Sequence, residues 1–344
     1  MVYGIPYSLG ERHVARPELV AALRDVLCRQ QRACIVDRFD VAVGMGKTQL
    51  ALEYVLRFND QYETVLWIRG SREATFTAEF SELASQLGLP EALQGDQPAM
   101  IRAVHEWLAH AEGWLIVVDD AADPQSLIPN LDSWGNGHVL ITSRKKSWPD
   151  SVATIPAPPF VTAEVAALGT NPGEGAAAWW SAPLTADLAA AFCRMRELAP
   201  DRLAGLVQPR NESAGNDPTQ TVLIETVGLH LSHLAKSNPA AGQLAIVCAH
   251  LDGGRIPIEV LRAERAFLPG PLRQRLDKEQ DAYALFDALH ATRLVQRGNS
   301  HLVMQPLTQD AVLRNLSSEK RERWALHVIR AVPVSYTHLR AHET

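Results

Sequence analysis

The chain has 344 residues, 47% hydrophobic and 21% charged, so it is long enough for two or three domains with cores of their own. A net charge of −6 gives no general attraction to nucleic acid. No apolar run approaches the ~20 residues a membrane helix needs, and the N-terminus lacks a signal-peptide pattern. The four cysteines, Cys28, Cys34, Cys193 and Cys248, show no C-x-x-C spacing and read as small buried residues in a reducing compartment. The twelve histidines form no H-E-x-x-H or Cys/His cluster, so no zinc site is expected, while the lack of a membrane helix and of a signal-peptide pattern makes a cytoplasmic protein the expectation.

Residues 1–16 read as irregular, and Pro17-Glu18-Leu19 opens a helix with Leu19, Val20, Leu23, Val26 and Leu27 on one face. Ala33-Cys34-Ile35-Val36 reads as a buried parallel strand. The stretch 37–43 is longer than a simple turn and leaves two readings open, an extended strand over Val41-Ala42-Val43 or a bulged insertion. Gly44-Met45-Gly46-Lys47-Thr48 follows, between that strand and a helix opening at Thr48 and running through Gln49 to Phe58. Glycines let backbone N–H groups approach phosphate, a lysine reaches the β/γ oxygens, and a threonine hydroxyl ligates Mg²⁺. The helix N-terminus adds its positive dipole end. The first glycine of the full G-x-x-x-x-G-K-[ST] pattern falls on Val41, so the match is incomplete.

A second strand spans 64–69, and helices are expected over 77–87, with Gly88 as C-cap, and 100–111. Trp114-Leu115-Ile116-Val117-Val118-Asp119-Asp120 describes a central strand that delivers two carboxylates at its C-terminal edge, where open α/β sheets bind ligands. His138-Val139-Leu140-Ile141-Thr142 is the next strand and ends in Ser143-Arg144. Strand–helix alternation over about residues 30–148 gives a parallel sheet covered on both faces.

Beyond Trp148, Pro149, Pro156, Pro158 and Pro159 break regular structure, and alanine-rich helices follow over 162–168 and 184–198. The polar stretch 211–219 reads as a boundary loop. Helices are expected over 222–234, 240–251, 256–266 and 283–290, then a hairpin, 294–297 and 301–304, on a three-residue turn. Helices followed by a small hairpin form a winged-helix silhouette. The last eleven residues, 334–344, coincide with one reading frame of a transposon-based sequencing adapter. They are expected to be an artefact, and the natural chain to be interrupted near Pro333.

These motifs resemble the NB-ARC branch of the STAND signalling NTPases, in particular bacterial or fungal members with C-terminal tetratricopeptide repeats. Val14-Ala15-Arg16 with Glu18-Leu19 resembles the family's N-terminal motif beside the adenine, with Ala15 in place of glycine. Gly44–Thr48 with Gln49-Leu50-Ala51-Leu52-Glu53-Tyr54 resembles its phosphate cradle and helix, and 114–120 its Walker B strand. Gly137–Arg144 resembles the sensor strand, and 239–257 the helices of the winged-helix segment.

The resemblance implies an α/β P-loop NTPase with a parallel sheet and helices on both faces, followed by a helical and a winged-helix subdomain. The expected division is an N-terminal linker and helix (1–29), the nucleotide-binding domain (30–160), a helical subdomain (161–215) and a winged-helix-like domain (216–333). ATP or ADP is the implied cofactor, with Mg²⁺. Nucleotide is expected to meet Gly44, Met45, Gly46, Lys47, Thr48, Gln49, Arg16 and Gln305. Thr48 and Asp119 would hold the metal, Asp120 would orient or deprotonate water, and Arg144 would read the γ-phosphate.

Departures accompany the resemblance. Val41 and Val43 replace glycines, no Gly-x-Pro-Leu-Ala motif is recognisable beyond a trace at Leu198-Ala199-Pro200, and Gln305 replaces the histidine that contacts the ADP β-phosphate. The implied function is an ADP/ATP switch in which any hydrolysis is slow and resets the state. Self-association in the ATP state is implied, and protein partners would act through a repeat domain beyond the interruption. A membrane or nucleic-acid partner is not expected. The alternatives are a winged-helix transcription regulator, against which 240–251 carries no lysine or arginine, and a nucleotide-dead interaction scaffold.

Overall fold

Short apolar runs separated by amphipathic helices dictate the first half of the molecule, and a computed structural model gives their arrangement. It describes residues 1–6, 9, 13–38, 44–169, 180–207, 218–251, 256–298 and 300–331. Val41, Val43, Trp179 and the stretch 332–344 therefore lie outside the described residues, as does most of 211–219. The chain divides into two units, Met1–Asp40 with Met45–Pro159, and Val41–Gly44 with Phe160–Thr344.

In the first unit the order is β1 (Val2–Tyr3), α1 (Pro17–Gln30), β2 (Arg32–Asp37), α2 (Lys47–Phe58), β3 (Thr64–Arg69), α3 (Glu73–Gln86) and α4 (Gln97–His110). It continues with β4 (Trp114–Ala121), α5 (Pro124–Ser133), β5 (His138–Ser143) and β6 (Ala153–Ala157). Among the described residues these strands form one parallel sheet in the order β1-β3-β4-β5-β2-β6. The strands that run β3, β4, β5, β2 are almost wholly buried, as continuous Val/Ile/Leu runs in parallel sheets must be. Ile116, Val118, Val139 and Ile141 pack with Trp114, Trp134 and Phe80 into the core beneath α3 and α4.

Several sequence expectations need correction here. Residues 1–16 are not uniformly irregular, since Val2–Tyr3 pairs with Val65 and Leu66. The sheet does not end near residue 148, because Ala153–Ala157 adds an edge strand to β2 with Pro156 opposite Val36. Proline lacks an N–H to give to a neighbouring strand, so an edge, with one side unpaired, is where it is tolerated. Helix α2 opens at Lys47, one residue early, and α3 begins at Glu73 rather than residue 77. Cys28 is exposed on α1, whereas Cys34, Cys193 and Cys248 are buried, and all four are free thiols.

The second unit contains α6 (Thr162–Ala167), α7 (Pro183–Arg196), α8 (Pro200–Leu206), α9 (Pro218–Ser237), α10 (Pro239–His250), β7 (Ile256–Pro257), α11 (Ile258–Ala263), α12 (Gly270–Asp277) and α13 (Glu279–Ala291). It ends with β8 (Gln296–Arg297), β9 (His301–Val303), α14 (Pro306–Arg314) and α15 (Ser318–Ala331). The hairpin forms as expected, and Ile256–Pro257, expected within a helix, joins it to give an antiparallel sheet in the order β7-β9-β8. Leu244, Cys248, Phe286, Leu289 and Leu302 are completely buried at the centre of this unit. No helix among the described residues is long and apolar enough to cross a membrane.

Candidate functional site

Helix α2 starts abruptly because Gly46 has φ +77°, a left-handed conformation that glycine adopts without strain. The first helical bond is Leu50 N–H to the Gly46 carbonyl, at 2.9 Å. The N–H groups of a helix's first turn have no partner within the helix, so they offer donors to an anion. Met45 is buried and anchors the turn, and Gln49 is half-buried on the first turn of α2.

Strand β4 supplies the carboxylates through an irregularity. Val118 pairs with Ile141 and Ala121 with Ser143, so three steps of β4 face two of β5. The extra residue bulges the strand and puts Asp120 at φ +56°, unusual for a residue with a side chain. Thr142 Oγ1 donates to Asp119 Oδ1 at 2.5 Å and accepts the Asp120 N–H at 2.8 Å. Ser143 Oγ donates to the Ala121 carbonyl at 2.6 Å and closes the far side of the bulge.

Across from this bulge, Thr48 Oγ1 donates to Asp119 Oδ1 at 2.8 Å, which joins the start of α2 to β4. Burial pushes the Asp119 carboxyl up to about 6, against the Thr142 and Thr48 hydroxyls and the Lys47 charge, which favour its ionised form. Burial also raises Asp120, opposed by Arg144 and Lys47. Arg144 Nε lies 3.6 Å from Asp120 Oδ1, with the guanidinium side largely in solvent. Lys47 Nζ donates to Asp37 Oδ1 at 2.5 Å.

Lys47, Thr48, Asp119, Asp120 and Arg144 are therefore brought together. Arg16 is not among them. Its N–H donates to both Glu53 carboxylate oxygens at 3.1 Å, and its Nη2 donates to the Pro159 carbonyl at 2.9 Å. Glu53 lies six residues along α2 from Lys47, roughly 9 Å of helix. Glu53 also meets His13 Nε2 at 2.9 Å, so this buried acid pins the segment that precedes α1.

Gln305 and Gly44 group with the second unit. Gln305 precedes α14, and its carbonyl accepts the Gln309 N–H at 2.9 Å. Gly44 has φ +76°, and its carbonyl accepts the Leu184 N–H at 3.1 Å. Leu184 lies on the first turn of α7, which opens at Pro183.

Sequence reasoning also missed Asp37, Thr142 and Glu53 as site-building residues. Asp37 carried the signal that exposed Asp119, a carboxylate closing an apolar strand. The donor set suits a nucleotide phosphate with a hard divalent cation: an ammonium, a helix N-terminus, and oxygens from Thr48 and Asp119. Among the described residues no group of three or more His, Cys, Asp or Glu side chains could hold a metal alone. A cation here would draw its remaining ligands from phosphate and water, the usual habit of Mg²⁺.

No family model matches the chain. A nucleotide-binding leucine-rich repeat (NLR)-like protein from Hyaloscypha variabilis is 26% identical over 142 residues, 39% of this chain and 14% of that protein. A signal transduction ATPase with numerous domains (STAND), with a tetratricopeptide repeat sensor, from Pyrococcus horikoshii superposes with TM-score 0.56 and 14% identity. That match covers 99% of this chain and 47% of the archaeal one. A Walker-type ATPase of Pyrococcus abyssi gives TM-score 0.35 at 12% identity, over 89% of this chain and 98% of its own. The chain thus spans under half the length of the STAND ATPase and a small part of the NLR-like protein. Its fold is similar to that of the STAND ATPase.

Proposed function

We propose that the chain is an ADP/ATP-binding molecular switch of the STAND signalling type, in which any hydrolysis is slow and serves to reset the state. The observation that carries the proposal is the hydrogen bond from Thr48 to Asp119, with Lys47 on the same helix turn. It puts a hydroxyl, a carboxylate and an ammonium at the N-terminus of one helix, the combination that a metal-bound triphosphate or diphosphate requires.

In this reading the N–H groups over Gly44, Met45 and Gly46 cradle phosphate, and Lys47 neutralises β/γ oxygens. Thr48 and Asp119 hold Mg²⁺ directly or through water, and Gln49 extends the contacts of the first helical turn. The chemistry that Mg²⁺ would supply there is positive charge against the phosphates. Asp120 orients or deprotonates water and Arg144 reads the γ-phosphate, so both are catalytic candidates. Arg16 belongs to the segment assigned to the adenine, and Gln305 offers an amide donor where a histidine would offer a charge.

The proposed division of labour is a nucleotide-binding domain (30–160), a helical subdomain (161–215) and a winged-helix-like domain (216–333). ADP holds the three closed, and ATP removes differential contacts and frees the last of them. The STAND ATPase of similar fold carries a tetratricopeptide repeat sensor. A sensor joined to this chain, self-association in the ATP state and a cytoplasmic location all go with the reading.

Titration of the full chain with Mg-ADP and Mg-ATP tests it. Binding in the wild type that weakens about 100-fold or more in Lys47→Ala is the expected result, the loss of a charge-assisted phosphate contact. Undetectable binding in the wild type would favour the interaction-scaffold alternative.

A further inference from the structure

A phosphate site works through excess positive charge, and among the described residues the ammonium of Lys47 is in contact with a carboxylate. The Lys47 ammonium lies 2.5 Å from Asp37 Oδ1, with the two side chains only 13% and 6% exposed. Asp37 is the last residue of β2, paired opposite Ala157 of β6, so the carboxylate is held by the sheet. Asp37 is also close enough to repel Asp120, while Lys47 attracts both Asp119 and Asp120. Among the described residues, the ion pairs and hydrogen bonds that join Lys47, Thr48 and Arg144 to Asp37, Asp119 and Asp120 engage two cations and three carboxylates, and Lys146 Nζ reaches the Arg38 carbonyl. One Lys47 ammonium thus already has an anion in contact, and a phosphate arriving without a metal meets a net negative cluster.

We propose that Asp37 is a resident competitor for the phosphate position, which holds Lys47 and makes nucleotide binding dependent on a divalent cation. The proposal rests on the nucleotide-binding reading above. A phosphate oxygen that approaches Lys47 must displace the Asp37 carboxylate or lie beside it, and like charges in a partly buried site repel strongly. A divalent cation on Thr48 and Asp119 supplies the positive charge that Asp37 cancels. The device makes free ADP a poor ligand and metal-bound ADP a good one, so selectivity comes from repulsion of the wrong species.

The test is titration of the full chain with ADP, in Mg²⁺ and in EDTA, for the wild type, Asp37→Asn, Asp37→Ser and Asp37→Glu. Asp37→Asn keeps an oxygen acceptor for Lys47 and removes the charge. It is expected to tighten ADP binding in EDTA at least tenfold and to change binding in Mg²⁺ less than threefold. Asp37→Glu keeps the charge and is expected to keep the metal dependence. Thermal melts identify which neutral variant is folded, and that variant decides.

Wild-type affinities that are equal in Mg²⁺ and EDTA would overturn the proposal, and this measurement needs no variant. So would a folded neutral variant whose affinity in EDTA is unchanged or weaker. If no version binds ADP in either condition, the nucleotide-binding reading itself fails, and the role of Asp37 goes with it.

Discussion

The hydroxyl of Thr142 is the joint on which both aspartates are set, because it donates to the Asp119 carboxylate and accepts the Asp120 N–H. Thr142→Val keeps the shape and deletes both bonds. It leaves a buried carboxylate short of a donor and an N–H without an acceptor, at a cost of about 1–3 kcal/mol. Denaturant unfolding is expected to show that loss, and Mg-ADP binding to weaken about tenfold, while Thr142→Ser keeps both properties.

A second residue-scale prediction concerns His230, which is completely buried on α9. Its Nε2 bonds the Leu188 carbonyl at 2.9 Å, its Nδ1 has no partner among the described residues, and its ring sits edge-on to Phe192. Burial lowers its pKa from 6.5 to about 4. The native state therefore binds fewer protons than the unfolded chain between these values. Stability is full above pH 6.5 and is lost as pH falls towards 4, by about 3 kcal/mol in all. Unfolding measured at pH 7 and at pH 4.5 is expected to reveal this, and His230→Gln, which keeps a donor to Leu188, to lose less over the same interval.

At the scale of elements, the bulge in β4 aims the carboxylates, and Gly70 leaves room for it. A Cβ on Gly70 would lie 2.9 Å from Ala121 Cα and from Val118 Cγ1. Its N–H also holds the Asp119 carbonyl at 2.6 Å. Gly70→Ala is expected to displace the bulge, to cost about 1–3 kcal/mol as overpacking does, and to weaken Mg-ADP binding. Gly137→Ala makes the matching control, since its Cβ would run into the Trp114 indole at the opposite end of β4. It is expected to lower stability by a similar amount and to leave ADP affinity unchanged in the protein that folds. Equal effects of the two on affinity would mean that the bulge has no special role.

The same elements show what the sequence made legible. Strands β3, β4 and β5 were readable because their apolar runs are long and end in turn or charged residues, the mark of buried parallel strands. Strands β1 and β6 were not, since one has two residues and the other contains Pro156, tolerable only at an edge. Helix α5 was missed although Asp123 caps it by accepting the Gln125 N–H, because Pro129 within the run argues against a helix. Lys47, Thr48 and Asp119 could be nominated from local pattern, and Arg144 through the resemblance of its strand to a sensor strand. That Asp37 returns to Lys47, or that Thr142 joins two aspartates, depends on strand order and register, which no local pattern encodes.

For the whole molecule, the two units bury separate cores, one around Trp114, Trp134 and Ile141 and the other around Leu244, Phe286 and Leu302. Separate cores can unfold in separate transitions, so calorimetry offers a direct reading of what nucleotide does to each. A ligand at 100 times its dissociation constant adds about 2.7 kcal/mol to whatever it binds, roughly 5–10 °C for a unit of this size. Binding to Lys47, Thr48 and Asp119 alone would raise only the first unit's transition. A switch clamped by ADP is expected to raise both. Gln305 stands in the second unit, and under the proposed function Gln305→His is expected to enlarge that unit's shift and to tighten ADP, because imidazolium adds a charge that an amide lacks. A second transition indifferent to ADP in both proteins would reduce the switch to a nucleotide-binding domain with an uncoupled neighbour. A response confined to Gln305→His would mean that the substitution at Gln305 has loosened a clamp that the rest of the chain retains.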